Sequence, residues 1–366
     1  MPVDDRAPVA EDQITVTGTA QQRAWHDRLL PPVEQVRPGL WSVPTPFQNS
    51  PLRYVLAYLL ETARGPVLVD TGWPSPDAWD GLVAGVAATG HAITEIAAVL
   101  VTHFHADHFG LAHAVRKASG AWVGMHPADA AVIRDLPVRN GWADEDRAWL
   151  IRRGVPAAEH DELAPPASFA VRGRVHGADV LIEDGARPLG DDAPLRAIWS
   201  PGHTPGHLCF ADERYDVLLT GDHVLPRISP NIGPSPLGPD DTLGTYLHSL
   251  SAMEDLDPEE VLPAHEYRFA GLPARVRQLQ DHHRARLDEV VAVVAAAEGC
   301  STYEVAERLS WSRPWDQSRG LVRRSAIGET WAHLFHLERR GRLANTASPD
   351  DHWRVVGDNL VDITNT

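Results

Sequence analysis

The sequence predicts an α/β layered fold in which short buried strands alternate with helices. Apolar, β-like segments alternate with helical ones over most of the chain. Several of the strands run directly into histidine, aspartate or turn residues, as strands do at the open edge of an α/β sheet. The chain has 366 residues, 43% of them hydrophobic, which is enough for a large domain and a smaller second one.

The predicted elements fall into two groups separated by a segment of different character. Before residue 130, strands are expected at 41–43, 54–60, 66–72, 96–101 and 121–125, and helices at 21–30, 78–88 and 111–119. After residue 179, strands are expected at 180–182, 195–199, 208–210, 217–219 and 261–269, and a helix at 241–256. Short apolar runs bounded by glycine, proline and polar turn residues support these assignments.

The chain divides into four predicted regions. Residues 1–22 are an acidic, polar leader, and 23–273 are the main α/β domain. Within that domain, 129–166 is a helical insert that could act as a lid and supply apolar walls to a pocket. Residues 274–345 form a helical, winged-helix-like domain, and 346–366 form a polar C-terminal tail.

The densest chemical signal follows the strand at 96–101, where the chain reads THFHADH. Neutral imidazole and carboxylate are favoured ligands for zinc-like ions. In extended chain, alternate side chains share a face, so His103, His105 and Asp107 would project together. A turn toward a helix would then bring His108 beside Asp107. This spacing predicts two groups of donors for two adjacent metal ions, rather than a polar surface loop.

Three further donors follow later predicted strands. His203 lies in SPGHTPGH, whose prolines and glycines form a rigid turn, and His265 follows the strand-like VLP of VLPAHEYRF. Asp222 lies in TGDHVL, where a carboxylate could bridge two cations. Seven donors at one sheet edge predict two metal ions, each with room for water. The expected pair is two Zn²⁺ ions, with iron or manganese as the alternatives.

Other residues are predicted to assist this site. Asp70, in VDTG, either forms a turn or supports the metal ligands, and His207 either hydrogen-bonds a ligand or begins the next strand. Substrate contacts are predicted at Trp142, Arg227, Asn231 and Tyr267. For Trp142, ordinary packing is an equal alternative.

Charge and composition narrow the expected partners. The net charge of −17 argues against binding of a polyanion by the whole chain. Arginines in 323–342 alternate with acidic residues, which is typical of a solvated helix face. There is no secretory signal pattern and no apolar run of about 20 residues, and only two cysteines occur. We therefore expect a cytoplasmic enzyme with a small-molecule or acyl substrate, no membrane association, no nucleic-acid partner, and compatibility with a homodimer.

Five sequence blocks together resemble the metallo-β-lactamase superfamily. They occur in order within residues 36–270: LVDTG, THFHADH, SPGHTPGH, TGD and PAHEY. A C-terminal segment ending in GETWAHLFHLERRGRL further resembles the hydrolases related to glyoxalase II and to β-lactamase-like protein 2. The resemblance implies an αββα sandwich with the site at one edge, followed by a winged-helix-like domain.

The resemblance also implies a role for each donor. His103, His105 and His203 would hold the first zinc, and Asp107, His108 and His265 would hold the second. Asp222 would bridge the two ions, and Asp70 would match the family's supporting aspartate. Class B β-lactamases differ, because their second site usually contains a cysteine and their bridge is not an aspartate. Flavodiiron proteins differ in a glutamate that replaces the second histidine.

The implied activity is hydrolysis by a metal-bound hydroxide that attacks an ester, thioester or lactone. Asp107 would orient the hydroxide and accept its proton. Two alternatives share the same blocks. One is a nuclease like RNase Z or β-lactamase-like protein 2, and the other is a persulfide dioxygenase-like enzyme with one iron.

Overall fold

The computed structural model describes residues 13–48, 50–135, 142–164, 177–234, 238, 240–346 and 350–356, with backbone alone at residues 142 and 143. The described residues belong to two compact units. The first comprises those of Met1–Pro137, Val171–Pro230 and Tyr246–Gln280. The second comprises those of Val138–Ala170, Asn231–Thr245 and Asp281–Thr366.

The strands and helices have the following bounds. The strands are β1 (Thr15–Val16), β2 (Glu34–Arg37), β3 (Leu40–Pro46), β4 (Tyr54–Leu60), β5 (Val67–Val69), β6 (Ala98–Leu100), β7 (Trp122–Met125), β8 (Val180–Leu181), β9 (Leu195–Trp199), β10 (Leu208–Asp212), β11 (Val217–Gly221), β12 (Glu260–Pro263), β13 (Phe269–Ala270), β14 (Leu343–Asn345) and β15 (Trp353–Val355). The helices are α1 (Thr19–Asp27), α2 (Pro76–Ala88), α3 (Ala106–Phe109), α4 (Ala112–Ser119), α5 (Pro127–Asp135), α6 (Trp142–Arg152), α7 (His160–Leu163), α8 (Thr242–Ser251), α9 (Leu272–Ala296), α10 (Thr302–Arg308) and α11 (Gly320–Arg339).

Two β-sheets form the centre of the first unit. One has the strand order β2-β3-β4-β5-β6-β7-β8, and the other has the order β1-β13-β12-β11-β10-β9. Strands β5 to β8 run parallel to one another, and β11 runs parallel to β12. Parallel strands end at the same edge of a sheet, so the segments that follow them meet there. The expected α/β layered architecture is confirmed.

The sequence YVLAYLL explains why β4 lies at the centre of the sandwich. All seven residues are buried. Tyr58 and Leu60 pack into the core between the sheets, together with Phe210 and Leu219 of the second sheet. Leu59 points to the opposite face and packs with residues of α2. Alternation of side chains along a strand therefore gives β4 one face for each of two cores.

Two tyrosines of β4 also join the sheets by hydrogen bonds. Tyr54 Oη donates to the carbonyl oxygen of Glu266 at 2.7 Å, and Tyr58 Oη donates to that of Pro263 at 2.8 Å. Burial raises the pKa of both hydroxyls, so both remain protonated donors. These bonds fix the first sheet against the segment that contains His265.

The N-terminal boundary differs from the predicted leader of residues 1–22. Strand β1 pairs with β13, with Thr15 opposite Ala270. Gln21 is fully buried, and its amide donates to Ser42 Oγ and accepts the Arg268 backbone N–H. Residues 13–22 are thus part of the fold. A two-residue strand is too short to produce an alternation pattern, which is why the sequence did not reveal it. Residues 1–12 lie outside the described ranges.

The second unit contains most of the predicted insert. Leu150, Val155 and Leu163 form a buried cluster with Tyr303 and Ile327. This part of the insert therefore shares a core with the C-terminal helices, whereas α5 belongs to the first unit. A hairpin of β14 and β15 follows α11. No helix in the described ranges is both long and apolar enough to cross a bilayer.

We expect Leu59→Ala to lower the free energy of unfolding by about 2–5 kcal/mol, because it leaves a cavity in a fully buried layer. Urea unfolding monitored by circular dichroism would measure the change. Leu29→Ala is the control, since Leu29 is 61% exposed. Equal stabilities for the two variants would contradict the assigned core.

The buried carboxyl of Glu329 should make the free energy of unfolding of the second unit depend on pH. Burial raises the pKa of its carboxyl to about 7, with Arg286 opposing the shift. Because the folded-state pKa exceeds the unfolded-state value, the contribution of Glu329 is fully present below the unfolded pKa and is lost as pH rises through the folded pKa. Between about pH 5 and pH 8, wild type should lose roughly 2–3 kcal/mol relative to Glu329→Gln.

Denaturant unfolding of both proteins at the two pH values would measure this difference. Glu307→Gln, on the exposed face of α10, is the control and should show a constant difference from wild type. A constant difference for Glu329→Gln as well would refute the assignment.

Candidate metal centre

The candidate site lies where the two sheets meet at one edge. The backbone N–H of Leu208 donates to the Thr102 carbonyl at 2.8 Å, and that of Leu56 donates to the Ala264 carbonyl at 2.7 Å. These main-chain bonds join the end of β6 to the start of β10, and β4 to the end of β12. The segments that carry the predicted donors are therefore adjacent in space.

The local conformation of THFHADH differs from the predicted extended run. Strand β6 ends at Leu100, and α3 begins at Ala106. His103 and His105 lie in the turn between β6 and α3, while Asp107 and His108 lie within α3. A bend in the chain, rather than strand alternation, therefore separates the donors into two groups.

Three imidazole nitrogens converge in the first group. His105 Nδ1 lies 3.0 Å from His103 Nε2 and 3.0 Å from His203 Nε2. One ring nitrogen has either a proton or a lone pair, so it cannot serve both neighbours as an ordinary hydrogen bond. Nitrogen ligands around a tetrahedral zinc are about 3.3 Å apart. A cation between the three rings accounts for their convergence.

The second group combines imidazole and carboxylate. Asp107 Oδ2 lies 3.7 Å from His108 Nε2 and 3.5 Å from His265 Nε2. Asp222 reaches both groups: its Oδ2 is 3.5 Å from His108 Nε2 and 3.7 Å from His203 Nε2, and its Oδ1 is 3.3 Å from His265 Nε2. All seven predicted donors are thus brought together.

Buried polar atoms without partners support occupancy by cations. Among the described residues, His108 Nε2, His265 Nε2 and Asp222 Oδ1 are buried and have no hydrogen-bond partner. His265 Nδ1 contacts the Tyr54 carbonyl at 3.0 Å and must donate to it, so Nε2 of the neutral ring is a lone pair. Burial of such atoms is costly unless they are satisfied. The donor set therefore fits divalent metal ions.

The electrostatics of the two groups differ. Burial and neighbouring imidazoles lower the pKa of His105 to about 3, and burial also lowers the pKa of His103, so both rings are neutral. Burial likewise lowers the pKa of His265, but the carboxylates of Asp222 and Asp107 outweigh it and raise that pKa to about 10. In the second group, a metal ion would therefore have to displace protons.

Asp70 supports both groups. Its Oδ2 accepts from His108 Nδ1 at 2.8 Å and from the Thr102 hydroxyl at 2.8 Å, and its Oδ1 accepts the Thr102 N–H. Thr102 Oγ1 in turn lies 3.0 Å from His103 Nδ1. These bonds leave the Nε2 lone pairs of His103 and His108 facing the centre.

His207 positions the segment that contains Asp222. His207 Nε2 accepts the Asp222 backbone N–H at 3.1 Å, and Nδ1 contacts Ser200 Oγ at 2.8 Å. Gly221 has φ +50°, and a Cβ there would lie 2.7 Å from His207 Nε2. A side chain at this position would push His207 away from Asp222.

Asp129 is a supporting residue that sequence reasoning assigned to the insert. It is fully buried. Its carboxylate accepts the Phe104 N–H at 2.9 Å, the Thr204 hydroxyl at 2.8 Å and the Gly206 N–H at 2.6 Å. It therefore ties the loop of His103 and His105 to that of His203. The only sequence signal is an aspartate in the first turn of a helix, which is commonplace.

The four predicted substrate contacts lie in different environments. Arg227 is half-exposed, with its guanidinium paired to Glu266. Tyr267 is 7% exposed and packs in the core between the sheets. Asn231 is exposed and belongs to the second unit. The side chain of Trp142 lies outside the described residues.

Five imidazoles and two carboxylates, buried at the shared edge of an αββα sandwich, define a metal-dependent hydrolase. The chain belongs to the metallo-β-lactamase superfamily, because a sequence model of that superfamily matches residues 50–265, more than half of the chain. The resemblance drawn from the sequence blocks is confirmed at this level. This fold binds divalent metals through clusters of histidine and aspartate.

Relatives and solved structures agree with this assignment. The lactamase-like protein adaB of Aspergillus niger is 28% identical over 269 residues, which cover 72% of this chain and 67% of that protein. The atrochrysone carboxyl ACP thioesterase of Aspergillus chevalieri is 24% identical over 301 residues, which cover 79% of this chain and 79% of that protein. A metallo-β-lactamase family protein of Thermus thermophilus superposes with a TM-score of 0.76 at 27% identity, over 88% of this chain and all of that one.

We expect Asp129→Asn to weaken metal binding by about 10–100-fold, as for other hydrogen-bond partners of ligand loops. An amide cannot accept all three hydrogen bonds, because its NH₂ group would face a donor. Competition with a chromophoric chelator would measure the affinity. Asp135→Asn is the control, because Asp135 is on the same helix and pairs with Arg134 at the surface. Unchanged affinity in Asp129→Asn would exclude this role.

Proposed function

We propose that the protein is a dinuclear metal hydrolase that acts on thioesters. The observation that carries the proposal is the pair of buried donor groups at one edge, joined by Asp222 and containing lone pairs that nothing else in the described residues satisfies. Esters and lactones are the neighbouring substrate classes, since their hydrolysis passes through the same type of tetrahedral oxyanion.

The proposed assignment of ligands follows the distances. His103, His105 and His203 would hold one ion; Asp107, His108 and His265 would hold the other; and Asp222 would contact both. Nitrogen and oxygen donors of this kind suit zinc, which we propose as the metal at both positions. Iron and manganese remain the alternatives that metal analysis distinguishes.

Bound divalent ions would supply Lewis acidity, which polarises the scissile carbonyl and lowers the pKa of the attacking water. Asp107 is the proposed proton acceptor. Burial raises the pKa of its carboxyl, but His108 and His265 outweigh this and lower it to about 2, so the group is ionised. Its side chain is 13% exposed, whereas those of His108 and His265 are fully buried. Asp107 is therefore the most solvent-accessible of the three residues Asp107, His108 and His265.

Similarity to a carrier-protein thioesterase favours thioesters over the other substrate classes. That relative aligns over 301 residues, which include the segments that contain all seven donors.

The arginines of α11 do not support the nuclease alternative, because two of them form ion pairs with acidic residues. Arg323 pairs with Glu159 at 2.8 Å, and Arg324 pairs with Asp146. We further propose that α10, α11 and the β14–β15 hairpin form the winged-helix-like module.

We expect metal removal and His105→Ala each to abolish thioester hydrolysis, because the first group then lacks its central nitrogen or its ion. The loss should exceed the about 10–100-fold typical of an outer hydrogen-bond partner. Metal content by plasma mass spectrometry and thiol release from a thioester panel are the two measurements. His113→Ala, on the exposed face of α4, is the control.

The same panel should include lactones, phosphodiesters and β-lactams at equal metal content. Preference for thioesters supports the proposal. Full activity in metal-free protein would refute the mechanism, and preference for phosphodiesters would favour the nuclease instead.

A further inference from the structure

Two arginines approach the indole ring of Trp25, which itself packs edge-on against the ring of Tyr54 at 5.8 Å between centroids. The guanidinium carbon of Arg53 lies 4.4 Å from the ring centroid of Trp25, and that of Arg227 lies 5.5 Å from it. Both distances are within the range of cation–π contacts. Trp25 itself is 7% exposed, so both guanidinium groups contact one buried ring.

Arg227 is held in a defined orientation by a buried carboxylate. Its Nε and Nη2 lie 3.0 Å and 2.8 Å from Glu266 Oε1. Glu266 is fully buried and has φ +69°, a backbone conformation that is rare for residues other than glycine. A guanidinium has five N–H donors, and Glu266 receives only two of them. The side chain of Arg227 is 55% exposed, so its remaining donors face solvent.

The arginines near Trp25 and Glu266 outnumber the carboxylates that pair with them. Arg275 is buried and donates to the carbonyls of Leu225 and Ile228, which fixes the loop that contains Arg227. Arg53 donates to the Trp25 carbonyl. In the described part of the chain, neither Arg53 nor Arg275 forms an ion pair, and Glu266 is the only acid paired with Arg227. Three arginines and one glutamate leave a local positive charge on a chain whose net charge is −17.

This arginine cluster belongs to the same backbone segments as the metal ligands. Glu266 directly follows His265. Arg53 directly precedes Tyr54, whose carbonyl accepts from His265 Nδ1 and whose hydroxyl donates to the Glu266 carbonyl. Arg227 follows Asp222 by five residues. The cluster is thus built on the backbone that positions the second donor group.

We propose that Arg227 and Arg53 form an oxyanion-binding subsite, which takes a carboxylate or phosphate group of the thioester substrate. The inference rests on the proposed thioesterase function and specifies its substrate as an anionic thioester. Arg227 supplies oriented N–H donors, because Glu266 fixes it before substrate arrives. Arg53 supplies charge that no carboxylate of the described chain neutralises. An oxyanion on the substrate would satisfy both.

Three matched thioesters test the proposal and distinguish the two sources of negative charge. S-acetyl-pantetheine is uncharged, S-acetyl-4′-phosphopantetheine carries a phosphate on the carrier end, and S-succinyl-pantetheine carries a carboxylate on the acyl end. We expect kcat/KM for one charged substrate to exceed that for the neutral one by about tenfold, through a lower KM. The preference should shrink at high ionic strength.

Arginine variants assign the preference to the subsite. Arg227→Gln should reduce kcat/KM for the preferred charged substrate to the level of the neutral one, chiefly through a higher KM. Arg227→Lys retains the charge without the paired hydrogen bonds and should restore part of the preference, and Arg53→Gln should lose part of it. Arg214→Gln is the control, since Arg214 pairs with Asp212 on another part of the unit. Circular dichroism would verify that each variant is folded.

Failure of this inference and failure of the proposed function give different results. If all three thioesters are hydrolysed with equal kcat/KM, or if Arg227→Gln keeps the preference, the subsite is refuted and the thioesterase stands. If none is hydrolysed, the thioesterase is refuted. Equilibrium binding of S-methyl-4′-phosphopantetheine, S-carboxymethyl-pantetheine and S-methyl-pantetheine then tests the subsite. Equal affinities, or affinities unchanged in Arg227→Gln, would refute it.

Discussion

The candidate metal centre depends on the hydrogen bonds that the Asp70 carboxylate accepts. It binds the backbone and hydroxyl of Thr102 and the Nδ1 of His108. Through Thr102 it also sets the proton position on His103. One buried acid therefore selects the tautomer of an imidazole in each donor group. Asp70 adopts φ +60°, and such backbone strain persists where surrounding contacts over-determine a residue.

The two donor groups differ in how much charge they bury in the folded chain. In the first group, burial keeps His103 and His105 neutral, so these two rings add no charge to the folded chain. The group with Asp107 and Asp222 concentrates negative charge in a buried space, which only protons or metal ions can neutralise. Cation binding thus serves stability in one group more than in the other. Folding and metal loading are linked most strongly where the carboxylates lie.

Much of the site could be predicted from the sequence because each donor follows an apolar strand or a turn rich in proline and glycine. The edge-forming strands carry strong local patterns, so the seven residues that converge at this edge could be selected from the sequence. Asp129 was missed because its hydrogen bonds reach Phe104 and Thr204, which are 25 and 75 positions away in the sequence. No local sequence pattern records such contacts. The same reason hid the pairing of Glu266 with Arg227, although Arg227 itself was selected as a polar residue in a loop.

The insert shows a second limit of sequence reasoning. Its tryptophans and short helices suggest a separate lid, but Leu150, Val155 and Leu163 share a core with residues of α10 and α11. A helical segment inserted between strands carries no signal for which distant segment it packs against. The helical character predicted for residues 274–345 agrees with α9, α10 and α11, because helix periodicity is local information.

The hydroxyls of Tyr54 and Tyr58 affect the spacing of the seven donor side chains. Four of the seven donors follow a strand of the first sheet, and three belong to the second. A sandwich held by apolar contacts alone can widen or narrow as its side chains repack. Here the length of a tyrosine side chain, bonded to carbonyls on either side of His265, acts as a rigid spacer. The gap between the sheets becomes a fixed length, and the spacing of the donors within each group follows from it.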